Sequence, residues 1–310
     1  MEKIPVIIDT DPGVDDFLAI MLARSSKKLD IKGICAVGGN QTLELTSRNA
    51  IDIAEAIKLD APVAKGAAKP LNHTIETAGH VHGESGIGDV VLPKATRDFD
   101  ERYAWDLMYD EAKKNSGKLE IIAIGPLTNV AIALLKYPDI HQHIKRIVIM
   151  GGSTGVGNRT PYAEFNIWGD PFAADIVFKS EIPLVMVGLN ATHQTMLNEN
   201  DIEELKKIPS YLSDEIDKLL TGMLRVYKGF GHEGAVIHDA LTIAYVMNED
   251  VLECKDYYVA IETREGLNYG RTVVDLDNSH RDKKKNASVA MNVNVDMFKE
   301  MMKEMIKFYN

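Results

Sequence analysis

Short apolar runs alternate along this chain with longer amphipathic stretches. Residues 6–9, 31–37, 119–124, 146–150 and 184–187 form runs of the first kind, and their near-continuous hydrophobicity fits strands buried on both faces of a parallel sheet. Between them, residues 14–25, 42–57, 101–115, 127–136 and 171–180 carry apolar side chains three and four positions apart, which predicts helices. That alternation is the signature of repeated βαβ units. Right-handed crossovers would make these strands parallel and bring their carboxyl ends to one edge. Past about residue 195 the pattern turns more helical, and residues 257–262, 271–275 and 289–293 predict late antiparallel strands before a closing helix from Asp296. Met297, Met301, Met302 and Met305 suit the core-facing side of that helix. No linker-like composition or internal repeat divides the chain, so one α/β domain over residues 1–310 is expected.

The strand ends are where the pattern acquires chemistry. Polar or glycine-rich segments recur there, namely Asp9 to Asp16, Gly38-Gly39-Asn40, Gly125 to Asn129, Gly151-Gly152-Ser153 and Asn190 to His193. Ligands of open α/β sheets bind at this edge. The first segment holds Asp9, Asp11, Asp15 and Asp16 within eight residues. Such a cluster requires a cation, a shared proton or a wet loop to relieve repulsion. Oxygen donors of this kind suit Ca2+ or Mg2+. Helix capping offers a simpler account of Asp11 followed by Pro12, yet it leaves Asp9 and the Asp15–Asp16 pair unexplained. The proline after Asp11 and the lack of a glutamate at the twelfth loop position exclude an EF-hand.

Composition narrows the partners. At 310 residues and 45% hydrophobic, the chain can bury a large core, and its net charge of -11 argues against a nucleic-acid surface. Lys283-Lys284-Lys285 reads as a solvated turn among acidic neighbours. Cys35 and Cys254 are too few for a disulfide scaffold or a zinc knuckle. With no signal-like start and no apolar run of membrane-spanning length, the expectation is a cytoplasmic protein that needs no membrane.

Further polar residues fall at other places in the pattern. His238-Asp239 opens a helix-like run, where Asp239 could cap the helix or add a carboxylate to a metal site. Asn158, Glu164, Asn166 and Asp170 follow the Met150-Gly151-Gly152 turn, a mix suited to hydroxyl-rich ligands. His80 and His82 have a His-x-His spacing, but no cysteine or third histidine nearby supports zinc. Residues 72–92 lack periodicity and predict a mobile loop over the site.

Taken together, Asp9 to Asp16, Gly38-Gly39-Asn40, His82 to Gly86, Gly125 to Asn129, Glu164-Phe165-Asn166 and His238-Asp239 have the order and rough spacing of the nucleoside hydrolases. The chain resembles in particular the inosine-uridine-preferring members, from residue 4 to about 305. The resemblance implies a Rossmann-like, mostly parallel central sheet with helices on both faces and a small late antiparallel addition. It implies Ca2+ held by Asp11, Asp16, Asp239 and the Thr128 carbonyl, with Asp11 also the base that activates water. Ribose would be gripped by Asp15, Asn40, Asn158, Glu164 and Asn166, with Met150 packed near the sugar. His238 would serve as leaving-group acid, with His82 and Tyr227 near the base.

Elementary chemistry agrees with that division of labour. Cleaving an N-glycosidic bond develops positive charge on ribose and negative charge on the base, which calls for anionic oxygens at one end and a proton donor at the other. The expected ligand is a small nucleoside, and the expected assembly a homo-oligomer, dimer or tetramer. Neither Trp105 nor Trp168 falls where base stacking can be argued. Two alternatives remain at this point: a haloacid dehalogenase-like Mg2+ phosphatase, which also begins with Asp-x-Asp after a strand, and a non-catalytic nucleoside-binding protein on the same scaffold.

Overall fold

A computed structural model describes residues 2–280 and 282–310. Its strands are β1 (Ile4–Thr10), β2 (Leu29–Ala36), β3 (Val63–Lys65), β4 (Leu119–Ala123), β5 (Ile144–Met150), β6 (Leu184–Val187), β7 (Leu252–Tyr257), β8 (Val259–Ile261), β9 (Thr272–Val274) and β10 (Ala287–Val293). The α-helices are α1 (Val14–Ser25), α2 (Leu43–Ala56), α3 (Gly79–His82), α4 (Ala104–Lys114), α5 (Thr128–Lys136), α6 (Phe165–Gly169), α7 (Pro171–Phe178), α8 (Leu189–Thr192), α9 (Glu199–Lys206), α10 (Ser213–Gly229), α11 (His238–Met247) and α12 (Val295–Phe308).

Eight strands form one sheet in the order β3-β2-β1-β4-β5-β6-β10-β7. All neighbours are parallel except β10 with β7. Alternation along β1 shows how the sheet is buried on both sides. Val6 and Ile8 pack with α1, α2, α10, α11 and α12, whereas Ile7 packs with α4, α5 and α7. The order of the strands reverses at β1 and β4, and at such a switch point the loops diverge and leave a crevice.

The late antiparallel pairing expected from sequence is present in β10 with β7 and in β8 with β9, with two differences in detail. Residues 257–262 divide into β7 and β8, because the Asn286 side chain takes a strand's place beside Val259. It accepts from the Val259 N–H at 2.8 Å and donates to its carbonyl at 2.9 Å. The strand expected at 289–293 joins the main sheet parallel to β6, while β8 and β9 pair as a separate antiparallel ribbon. Among the described residues no helix is long and apolar enough to cross a membrane.

Candidate active site

The parity of β1 sorts the aspartates. Asp9 lies on the Ile7 side and is buried against α5, where Asn129 Nδ2 donates to its Oδ1 at 2.7 Å. Burial pushes the Asp9 carboxyl up to about 8. It therefore stands apart from the other three. Thr10 lies on the opposite side and donates to Asp16 Oδ1 at 2.5 Å, tying the strand end to the first turn of α1.

Asp11 is not a helix cap. The helix begins at Val14 with Gly13 in the cap position, and the Gly13 N–H donates to Asp16 Oδ2 at 2.8 Å. Asp11 instead sits beneath the loops that follow β2 and β4. Its Oδ2 accepts the Asn40 N–H at 2.7 Å, while its Oδ1 is buried without a hydrogen-bond partner. A side chain at Gly125 would place a Cβ 2.7 Å from that oxygen, and one at Gly39 would collide with Oδ2. The glycines after both strands are thus required by close approach to Asp11.

Packing of α1 against α11 brings two acidic helix starts together. Oxygens of Asp15, Asp16 and Asp239 lie within 4.8 Å of one another. Burial raises all of these carboxyls, and neighbouring carboxylates raise Asp16 and Asp239 further. Asp15 and Asp16 reach about 6, and Asp239 lies well above the ordinary range. Asp11 is raised well above it too, first by burial and then by Asp16. An all-oxygen donor set under mutual repulsion, with one buried oxygen unpartnered, fits a hard divalent cation. Asp239 is no cap either, since Ile237 occupies that position. The Thr128 hydroxyl donates to Asp170 Oδ2 at 2.8 Å, which anchors the start of α5.

Above the carboxylates opens a cavity of about 960 Å³. Asp15, Asn40, His82, Met150, Asn158, Glu164, Asn166, Tyr227, His238 and Asp239 all line it, whereas Asp11, Asp16 and Thr128 lie outside its lining. Asn40 is more committed than its sequence position suggests. Its Nδ2 reaches both the Asp11 carbonyl and Asp16 Oδ2 at 3.1 Å, so its Oδ1 is the end left for a ligand. Asn166 Nδ2 donates to the carbonyls of Ile124 and Met150 at 3.0 and 3.1 Å, which similarly leaves its Oδ1. Glu164 accepts N–H bonds from Gly152, Asn166 and Ile167, yet burial still lifts its carboxyl to about 7. Asn158 caps the turn below it by accepting from Phe165 N–H at 2.9 Å.

The opposite wall is rich in aromatic side chains. His82 Nδ1 accepts the Val14 N–H at 3.1 Å, and burial lowers its pKa to about 4. Gly13 permits this approach, because a Cβ there would stand 2.5 Å from that nitrogen. His238 lies between two hydroxyls, with Thr192 Oγ1 2.7 Å from Nδ1 and Tyr227 Oη 2.6 Å from Nε2. Burial, then its histidine neighbours, lowers its pKa to about 3. His193, His232 and Phe230 complete this wall, and none of them was assigned a site role from the sequence. The Asn190-Ala191-Thr192-His193 strand-end segment was the signal for His193.

A family profile described as inosine-uridine preferring nucleoside hydrolase matches residues 6–300. The chain belongs to that family. Curated relatives include the pyrimidine-specific ribonucleoside hydrolase RihA of Shigella boydii serotype 4, 40% identical over 99% of both chains. The same is true of the RihA of Salmonella paratyphi A, also at 40% identity over 99% of each. Among solved structures, a purine-preferring ribonucleoside hydrolase from Gardnerella vaginalis superposes with a TM-score of 0.91 at 32% identity, covering 98% of each chain. A plant nucleoside hydrolase gives 0.92 at 28% identity over 98% of this chain and 99% of its own. As a nucleoside hydrolase, the protein is an enzyme that cleaves N-glycosidic bonds, and the phosphatase and non-catalytic alternatives fall away.

Proposed function

We propose that this nucleoside hydrolase is Ca2+-dependent and converts ribonucleosides and water to ribose and free base, with pyrimidine nucleosides preferred over inosine. The observation that carries the reading is the unpartnered, buried Oδ1 of Asp11 beside Asp16, at the base of a cavity large enough for a nucleoside. Asp11, Asp16, Asp239 and the Thr128 carbonyl would hold the ion, with Asp15 close by. When bound, Ca2+ supplies the positive charge that offsets these carboxylates and lowers the pKa of water beside it.

Asp11 then acts as general base. It takes a proton from water as the water oxygen bonds to C1′ and the C1′–N bond breaks, its electron pair leaving with the base. Direct displacement requires no covalent intermediate. Asp15, Asn40, Glu164 and Asn166 face the ribose hydroxyls with acceptors, Asn158 adds its amide N–H, and Met150 covers the sugar. His238 acts on the base together with Tyr227, to which it is hydrogen-bonded, and with His82 nearby this group stabilises the charge that develops on the base.

The pyrimidine preference rests on the 40% identity to pyrimidine-specific relatives and on the character of the base-facing wall. The cavity lining there includes histidines, Tyr227 and Phe230 beside Leu219, Met223 and Val226. Trp105 instead stacks on Tyr103, and Trp168 lies beneath Arg159, so neither offers a plane for a purine. Initial rates of ribose release from uridine, cytidine, inosine, adenosine and guanosine test the reading. Higher kcat/KM for uridine and cytidine is expected; a purine first in the series would reverse the preference, and no ribose from any of them would end the proposal.

A further inference from the structure

His238 is flanked by two hydroxyls, and their hydrogens cannot both point toward it if the ring is to act as a donor. Thr192 decides which does. Its Oγ1 is completely buried, and its one hydrogen-bond contact among the described residues is His238 Nδ1 at 2.7 Å. A buried hydroxyl hydrogen left without an acceptor is costly, so it must be donated to that nitrogen. Nδ1 is then the acceptor, and the ring hydrogen resides on Nε2. The Nε2–H in turn points at Tyr227 Oη, 2.6 Å away. With its oxygen accepting, Tyr227 retains its own O–H for a ligand in the cavity, and accepting one bond strengthens the next.

Resting on the proposed hydrolase reading, we infer that Thr192 is a positioning residue that holds His238 as the Nε2–H tautomer and so aims the Tyr227 O–H at the departing base. The reverse orientation would have the opposite effect at the same site. Were the ring hydrogen on Nδ1, Nε2 would accept the Tyr227 hydrogen, and the phenol would turn lone pairs toward the negative charge developing on the base. One buried hydroxyl, outside the cavity, therefore sets the sign of the dipole that the leaving group meets. No proton need travel along the chain, since the three groups act by hydrogen bonding alone.

Two-bond 1H–15N correlation spectra of the 15N-histidine-labelled enzyme read the ring directly, with the signal assigned by its loss in His238→Gln. The Nε2–H tautomer is expected near neutral pH; an Nδ1–H or doubly protonated ring overturns the inference whether or not the protein cleaves nucleosides. Kinetics test the consequence. Thr192→Val should lower kcat on uridine roughly ten-fold or more, less than the roughly 10²–10³ lost when a transition-state donor itself is removed. KM and turnover of p-nitrophenyl riboside, whose leaving group requires no assistance, should stay near wild type. Thr192→Ser should restore uridine cleavage, which a loss through packing would not allow. Unchanged kcat in Thr192→Val, equal losses on both substrates, or no rescue by serine would each contradict the assignment. If wild-type protein cleaves neither uridine nor inosine, the hydrolase reading fails, and the ring spectrum still decides the tautomer.

Discussion

Asn40 grips Asp11 at two points: its backbone N–H donates to Asp11 Oδ2 at 2.7 Å, and its side-chain Nδ2 returns to the Asp11 carbonyl at 3.1 Å. The same Nδ2 reaches Asp16. A residue assigned from sequence as a sugar ligand also fixes the geometry of the acidic floor. Asn40→Ala should therefore weaken calcium retention as well as raise KM. Calcium titration by calorimetry checks this, and wild-type affinity in that variant would confine Asn40 to the sugar.

Asp11→Asn should fold normally and lose nearly all turnover. The amide can offer an oxygen to a cation but cannot take a proton from water, a function worth roughly 10²–10⁴ in rate. The check is kcat on uridine alongside the melting temperature. Near-wild-type kcat with calcium bound would remove Asp11 as the base.

Metal-free protein should lose stability as pH rises. Asp15 and Asp16 have carboxyls raised from 3.8 to about 6 in the folded chain, so the native state binds more protons than the unfolded state between those values. Stability is then fully present below about pH 4 and declines through pH 6, by up to roughly 1.4 kcal/mol per pH unit for each group. Asp9 and Glu164, raised to about 8 and 7, extend the decline. Calcium favours the ionised carboxylates, so its stabilising effect should grow over the same window. Urea unfolding at pH 5 and 7.5, with EDTA or with calcium, measures both slopes; a metal-free protein that gains stability with pH would contradict the acidic-floor account.

Deoxyribonucleosides should be poor substrates. Asp15 and the free Oδ1 atoms of Asn40 and Asn166 surround the expected ribose site, and loss of one hydroxyl leaves a buried partner unmatched, at roughly 1–3 kcal/mol or more. Comparable kcat/KM for uridine and deoxyuridine would show that the sugar binds otherwise.

Strand ends in a parallel sheet converge, so the segments after β1, β2, β4 and β5 could be assigned to one edge from pattern alone, whereas Asp239, in the first turn of α11, was joined to Asp16 only through the family resemblance. What escaped depended on packing. The three-residue β3 is too short to show a period, and the side-chain amide that divides β7 from β8 comes from Asn286, more than twenty residues on. Asp9 shares a motif with Asp11 but faces the other side of the sheet, which only the register of β1 reveals. Thr192 carries no motif; its importance arises from where α8 places one hydroxyl against α11.

The most direct measurement is the simultaneous release of ribose and uracil from uridine by calcium-loaded enzyme, repeated after exhaustive chelation and after calcium is restored. The account predicts equal amounts of both products, activity abolished by chelation, and recovery with about one calcium per chain. Full turnover in the stripped protein, or uridine left intact by the loaded one, would contradict it.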